Sequence, residues 1–465
     1  MTDIYAIVPI FLIIASAVWA ILAYRRDTGS AKPPKTQDEI SLVRNASQAT
    51  VTWTHVATSL GGAVTISFIG LIYRDGTFML AIGISFILGL LIYRAILPVV
   101  YERFHSNPNV SSFEEYLSCE SSVLLFFVSC VNFFIFFLLT TAQFTAAYLL
   151  FDWLGIDYRI PLLIILMAIA GSYVAYGLRG VFLTEKIQVV AVCAWLLVLI
   201  AYCLRFSSVE SIAQLDIMYL SGLANGPVVL MLALILFPLT AIARSDLWQR
   251  SFSCSSHEQA QGAISRLMIV MAFIYALMGV VGITIFSLNP DLSNYNNAAY
   301  TVLDSSNPIV SLLAVTGILA ALVSTADSSL NLTAVAALNI RKAIMGNRAP
   351  QKAYIFYIVS LALILICIFF LILNDVDLGS VVLLASTAGA LLLPTLGALV
   401  LIKEPLIYSK VISIIFGAMA AIATLAITGD ATIAFIPGFF VSLIVVGLGW
   451  RVEPSFGIAK IGSGE

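Results

Sequence analysis

Apolar residues run along this chain in blocks of about twenty to thirty, each closed by a short polar break. A block of that length, wound as a helix, crosses a bilayer, because only a helix satisfies its own backbone polar groups in lipid. Thirteen blocks are predicted to do so: 4–24, 49–73, 77–99, 121–149, 160–177, 181–204, 226–244, 263–287, 308–339, 351–373, 378–402, 408–428 and 431–449. An odd number puts the two termini on opposite sides. If the N-terminus lies outside, only Arg74, Arg159 and Arg205 of the 23 lysines and arginines fall on outer segments. Outer loops instead carry acids such as Asp75, Asp157, Asp216, Asp291 and Asp430. The positive-inside rule therefore predicts an N-out, C-in protein of the cell membrane. The longest loops, about 25–48 and 245–262, are inner and polar, and no segment outside the membrane makes a second domain. Residues 1–465 form one transmembrane domain.

Two spans are interrupted. The second reads SLGGAVTISFIG, with Gly61 and Gly62 together; the seventh carries Pro238 within an apolar run. Glycine pairs and proline free backbone groups in a membrane helix. Breaks at matching positions of two halves point to a midplane binding site. Spans 2–6 (about 49–204) and 7–11 (about 226–402) each form a five-helix unit opened by its broken helix, and five being odd, the second unit is inverted. The helices 4–24, 408–428 and 431–449 are peripheral to this all-α core.

The ninth span holds the most informative stretch, Ala320–Asn331, AALVSTADSSLN. On a helix, Ser324, Asp327, Ser328 and Asn331 share an arc of about 100°, with Thr325 about 60° beyond. A carboxylate in mid-membrane costs about 2.5–3.5 kcal/mol on the insertion scale, so Asp327 must face the interior and have a partner. Hydroxyl, amide and carboxylate oxygens, with no His or Cys, suit a hard alkali cation. Back-bonding of the hydroxyls to carbonyls one turn earlier is the plain alternative. It accounts for the hydroxyls and not for the acid.

Composition narrows the class. Of 465 residues, 61% are hydrophobic and 10% charged, and the mean hydropathy is +1.03. Six scattered cysteines suggest neither a disulfide framework nor a zinc site. Three distant histidines, and no nucleophile elbow or metal cluster in any span, speak against an enzyme. No nucleic-acid partner is expected, and the sequence leaves the oligomeric state open.

At this point the chain resembles the sodium/solute symporter family, whose members have the LeuT-type fold. The matching residues are Val323–Asn331 (VSTADSSLN), Gly177–Gln188 (GLRGVFLTEKIQ), Trp248–Arg250 (WQR) and Phe68–Gly70 (FIG), and the resemblance extends over about 40–405. It implies Na⁺ as coupling ion, bound between spans 2 and 9. The ligands it implies are the Ser324 and Thr325 hydroxyls with backbone carbonyls of Ala321, Leu60 and Ala63. Some members have a second cation site further in, which here draws on Glu185 and Ser328 with Asp327, an acid where the family usually carries a small or hydroxyl residue. Two carboxylates there hold a second Na⁺ or share a proton. The solute pocket it implies draws on Ser67, Asn132, Gln143, Phe237, Thr240 and Thr387. Asn132 and Gln143 serve equally as hydrogen-bond glue between helices. Ser67 and Phe86 stand where sugar-binding members carry Gln and Glu, which argues against a hexose.

The resulting expectation is Na⁺-coupled uptake of a small polar organic solute by alternating access. Two alternatives stand beside it: a transporter-like solute sensor without net flux, and an H⁺-coupled symporter.

Overall fold

The computed structural model describes residues 37–452, except 108–109, 208, 214, 223–225, 305–307, 347–352, 375–376, 403–405 and 430–434, with a few positions of the first expected span. That span, 4–24, otherwise lies outside the described residues, as does 25–36. Among the described residues the elements are all helical. They are α1 (Gln48–Ser59), α2 (Gly62–Asp75), α3 (Phe78–Ser106), α4 (Phe113–Ser118), α5 (Ser122–Trp153), α6 (Arg159–Val174), α7 (Gly177–Phe206) and α8 (Pro227–Ile242). There follow α9 (Ser245–Phe252), α10 (His257–Leu288), α11 (Pro308–Met345), α12 (Ala353–Ile372), α13 (Leu378–Ala388), α14 (Ile407–Thr428) and α15 (Phe435–Val452), with short helical turns between them.

Each expected span after the first coincides with a helix or a bent pair of helices. By length and hydropathy, eight described helices can cross a membrane, up to ten if each bent pair counts as one span. Large apolar side chains such as Val190, Leu204, Ile269 and Ile422 point outward with no protein over them. Water would penalise such faces and lipid does not.

The core is organised around α11, buried on every side from Gly317 to Ala336. It packs chiefly on α5 and α7, and α1 and α2 lie against its middle. A helix with no solvated face has no amphipathic stripe, which is why its sequence reads as one long apolar segment.

The two interruptions differ in where they fall. The first is where the glycines put it: α1 ends at Leu60, and α2 starts from Gly61 at 48° to α1. The second is not at Pro238, which sits inside the unbroken helix α8. There the helix is accommodated by a neighbour: a Cβ on Gly89 of α3 would lie 2.2 Å from the Pro238 carbonyl, so the two backbones meet directly. The chain breaks instead at Ala243–Arg244, where Arg244 turns extended (φ −70°, ψ 105°) before α9 begins.

The expectation that 245–262 is a polar inner loop is also corrected, since Ser245–Phe252 and the residues from His257 are helical. All eight residues of α9 are buried. Its Trp248 stacks on Phe113 (5.5 Å between ring centroids) and lies tilted against Tyr93 (4.1 Å), and Phe252 stacks on Phe104 (3.8 Å). Burying each such ring contributes about 1.5–3 kcal/mol, enough to draw a helix with two charged residues indoors once those charges are paired, Asp246 with Arg244 and Arg250 with Glu185.

Candidate functional site

On α11 most hydroxyls do back-bond. Ser324 Oγ donates to the Ala321 carbonyl (3.1 Å), Ser328 to Ser324 (3.0 Å), Ser329 to Thr325 (2.6 Å) and Thr333 to Ser329 (2.8 Å). Thr325 differs. Its Oγ1 is buried and has no hydrogen-bond partner among the described residues. It faces the α1–α2 break: a Cβ on Gly61 would lie 2.9 Å from Thr325 Oγ1 and Cγ2, and one on Gly62 2.7 Å from the Leu322 backbone nitrogen. The glycines let the broken strand of backbone come to the Thr325 hydroxyl with nothing between. Leu60, Ala63, Ala321, Ser324 and Thr325 thus belong to one junction. The Leu60 carbonyl meets the Thr65 hydroxyl at 3.4 Å. The Ala63 amide is capped by Gln143 Oε1 at 2.9 Å, one of the orphan donors at a helix start. Gln143 is therefore glue that holds α2 to α5.

Deeper along α11 lies a buried polar cluster. Glu185 Oε1 on α7 accepts from Arg250 Nη2 (2.7 Å), Ser328 Oγ (2.6 Å) and Thr58 Oγ1 (2.8 Å). Arg250 Nη2 also donates to Ser328 Oγ at 2.8 Å. Asp327 Oδ2 accepts from Thr184 Oγ1 at 3.0 Å, and its Oδ1 lies 3.4 Å from Ser328 Oγ. Glu185, Asp327 and Ser328 come together as a set, with Ser328 between the acids. The charge facing Glu185 is the Arg250 guanidinium. Reading Arg250 as an inner-loop cation concealed this, since nothing in WQR announces that the loop folds inward.

A cavity of about 120 Å³ lies beside Thr325. Ser67, Asn132, Phe237 and Thr240 line it; Gln143 and Thr387 do not. The Thr387 hydroxyl turns back to the Leu383 carbonyl at 2.8 Å. Asn132 donates to the buried Glu114 at 2.9 Å, leaving its Oδ1 without a partner among the described residues. Phe68, Phe86 and Tyr275 supply an aromatic wall, Tyr275 lying 4.9 Å from Phe68 and 6.0 Å from Phe86 between ring centroids. Sequence reasoning missed Arg244 and Asp246, which also line the cavity. They are joined side to side, Arg244 Nε donating to Asp246 Oδ1 at 3.0 Å. Opposite charges two residues apart behind a long apolar run are the one sequence signal for them, and they read equally well as a solvated loop.

The family model for the sodium:solute symporter family matches residues 44–424, which takes in α1 through most of α14. The chain belongs to the sodium:solute symporter family. It is a Na⁺-coupled symporter of a small solute, a transporter and not an enzyme. No curated protein sequence matches it. Among solved structures, it is similar to a Na⁺-coupled sialic acid symporter in a substrate-bound outward-open state. That match has 19% identity and a TM-score of 0.76, covering 96% of this chain and 97% of that one. It is also similar to the nucleobase-cation-symport-1 family transporter Mhp1 with bromovinylhydantoin bound (14%, TM-score 0.58, covering 91% and 95%). A third is MhsT in complex with L-phenylalanine (15%, TM-score 0.55, covering 88% and 99%). At these identities the likeness is one of fold, and the symporter shares the all-helical LeuT-type fold.

Proposed function

We propose that the symporter binds its Na⁺ at the α1–α2 break against α11, with oxygens from Leu60, Ala63, Ala321, Ser324 and Thr325, and its solute in the adjoining cavity. The observation that carries this is the Thr325 hydroxyl: buried, unpartnered and facing the glycine break. A buried hydroxyl without a partner costs about 1–3 kcal/mol, and a cation repays that cost. Because Thr325 and Ser329 of the ion helix also line the cavity, ion and solute share a wall. Na⁺ drawing α1, α2 and α11 together raises solute affinity, and the coupling is reciprocal.

The two five-helix halves, 49–204 and 226–402, act as inverted repeats that meet at the breaks Leu60–Gly61 and Ala243–Arg244. With the N-terminus outside, Na⁺ enters down its gradient, each charge contributing about 2.3 kcal/mol per 100 mV. The acids Glu185 and Asp327 hold a second cation only when Arg250 leaves Glu185, so a single Na⁺ is the resting stoichiometry of this arrangement.

The test is thermal stability of purified protein in Na⁺ against equimolar K⁺. Na⁺ should raise the melting temperature of the parent and not that of Thr325→Ala, whose stability in K⁺ should not fall below the parent's, since the unpartnered hydroxyl is gone. An undiminished Na⁺ response in Thr325→Ala defeats the assignment.

A further inference from the structure

The reading of the cavity as the solute site leaves the chemistry of the solute open, and Arg244 narrows it. Its guanidinium commits Nε and Nη2 to Asp246. Its Nη1 makes no hydrogen bond to the described residues. Both residues line the cavity, but the Arg244 side chain is 26% exposed and Asp246 1%, so the cation is the accessible member of the pair. The guanidinium lies over the Phe86 ring at 5.5 Å, which fixes the plane of the fork. A fixed fork with one free edge matches a carboxylate, for which arginine is the preferred planar partner. Ser67 Oγ, Ser245 Oγ and Thr325 Oγ1, which also line the cavity, are buried hydroxyls without partners among the described residues, three further donors for anionic oxygens. No unpaired acid lines the cavity among the described residues, so a solute ammonium would be desolvated without compensation.

Size and lining complete the description. A cavity of about 120 Å³ is close to the roughly 150 Å³ that holds a six-carbon ring. The rest of its wall is apolar: Leu71, Met79, Ile82, Ile135, Leu332 and Val382 among others. We infer that the transported solute is a small monocarboxylate of about six heavy atoms, its carboxylate bound by Arg244 Nη1 and its apolar body against the aromatic wall. This rests on the cavity being the solute site. It also supplies a reason for ion coupling. An empty site sets the Arg244 edge and the Na⁺ at Thr325 on one cavity wall, and the solute's negative charge sits between two positive ones.

The probes are butyrate, lactate and pyruvate, with butyramide and butylamine as neutral and cationic counterparts, each measured by thermal shift in Na⁺ and in K⁺. The variants are Arg244→Gln and the double variant Arg244→Gln/Asp246→Asn. The double variant replaces the ion pair by two matched amides and so leaves no unpaired buried charge. At least one carboxylate should stabilise the parent in Na⁺ and bind about ten- to a hundredfold more weakly to the double variant, which keeps the parent's Na⁺ shift. Butyramide and butylamine should have no effect. The inference is overturned if butyramide or butylamine matches butyrate, if no carboxylate binds while the Na⁺ shift is present, or if the double variant binds as the parent does. Absence of any Na⁺ shift in the parent instead removes the ion-site reading beneath it, and this inference with it.

Discussion

Glu185 and Arg250, 65 residues apart, are joined at 2.7 Å with side chains 0% and 1% exposed. The pair ties α7 to α9, and through Ser328 both are tied to α11. It thereby links the helix that carries the proposed ion ligands to the short helix that opens beside the solute cavity.

Breaking that pair from one side leaves a buried charge alone. Glu185→Gln or Arg250→Gln should each cost about 3–5 kcal/mol of stability. The double variant should cost clearly less than the sum, because neither charge is then orphaned. Denaturation of the four proteins in one detergent measures this, and strictly additive costs would show that the two groups do not depend on each other.

Gly61 and Gly62 test whether the close approach matters for the ion. In Gly61→Ala the new methyl lies 2.9 Å from Thr325 Oγ1, inside the proposed coordination sphere. The Na⁺ shift should disappear while the fold survives with a loss of about 1–3 kcal/mol. Gly62→Ala meets Leu322 backbone at 2.7 Å and should be the more damaging to stability. Wild-type Na⁺ affinity in Gly61→Ala would place the ion elsewhere.

Among the described residues Asp327 has no cationic partner in contact; the Thr184 hydroxyl is its hydrogen-bond donor on α7. Asp327→Asn preserves the shape and can still accept from Thr184. We expect near-parental yield and melting temperature with impaired Na⁺-driven uptake in proteoliposomes. A drop in stability with intact coupling would assign Asp327 a purely structural role.

On the end of α13, Asp377 lies outside the spanning segment and takes hydrogen bonds from the Ser380 amide (2.8 Å), Asn296 (2.9 Å) and Tyr295 (3.1 Å). Burial pushes its carboxyl up, but these donors outweigh burial and hold it below the ordinary carboxylate value. A depressed folded-state pKa means a contribution present above the unfolded value of about 3.9 and lost as pH falls through the folded one. The 295–300 turn should therefore stay protected from hydrogen exchange at pH 7 and pH 5 and loosen only below about pH 4. Asp377→Asn should loosen it at pH 7. Equal protection at pH 3 in the parent would show that the turn is held by packing alone.

The hydrophobic pattern was enough for the helices after the first span and for their order, because a lipid-spanning helix needs about twenty apolar residues whatever it packs against; the family came from local motifs, chiefly Val323–Asn331 and Gly177–Gln188. The glycine pair was legible for the same reason: a break is written locally, in residues that cannot sustain a helix. So was the set Ser324, Thr325, Asp327 and Ser328, since polar groups in mid-span stand out against lipid. Pro238 misled because a proline in a membrane helix need not break it: α8 runs through Pro238, with Gly89 of α3 letting the two backbones meet there. Which hydroxyls are spent on their own helix and which, like Thr325, are left over depends on backbone brought from 260 residues away. The burial of α9 was the largest gap. Arg244, Asp246 and Arg250 read as loop charges because nothing local distinguishes a charge facing water from one facing a partner. Glu185 and the aromatic rings of Tyr93, Phe104 and Phe113 make that helix internal, and only the tertiary structure brings them to it.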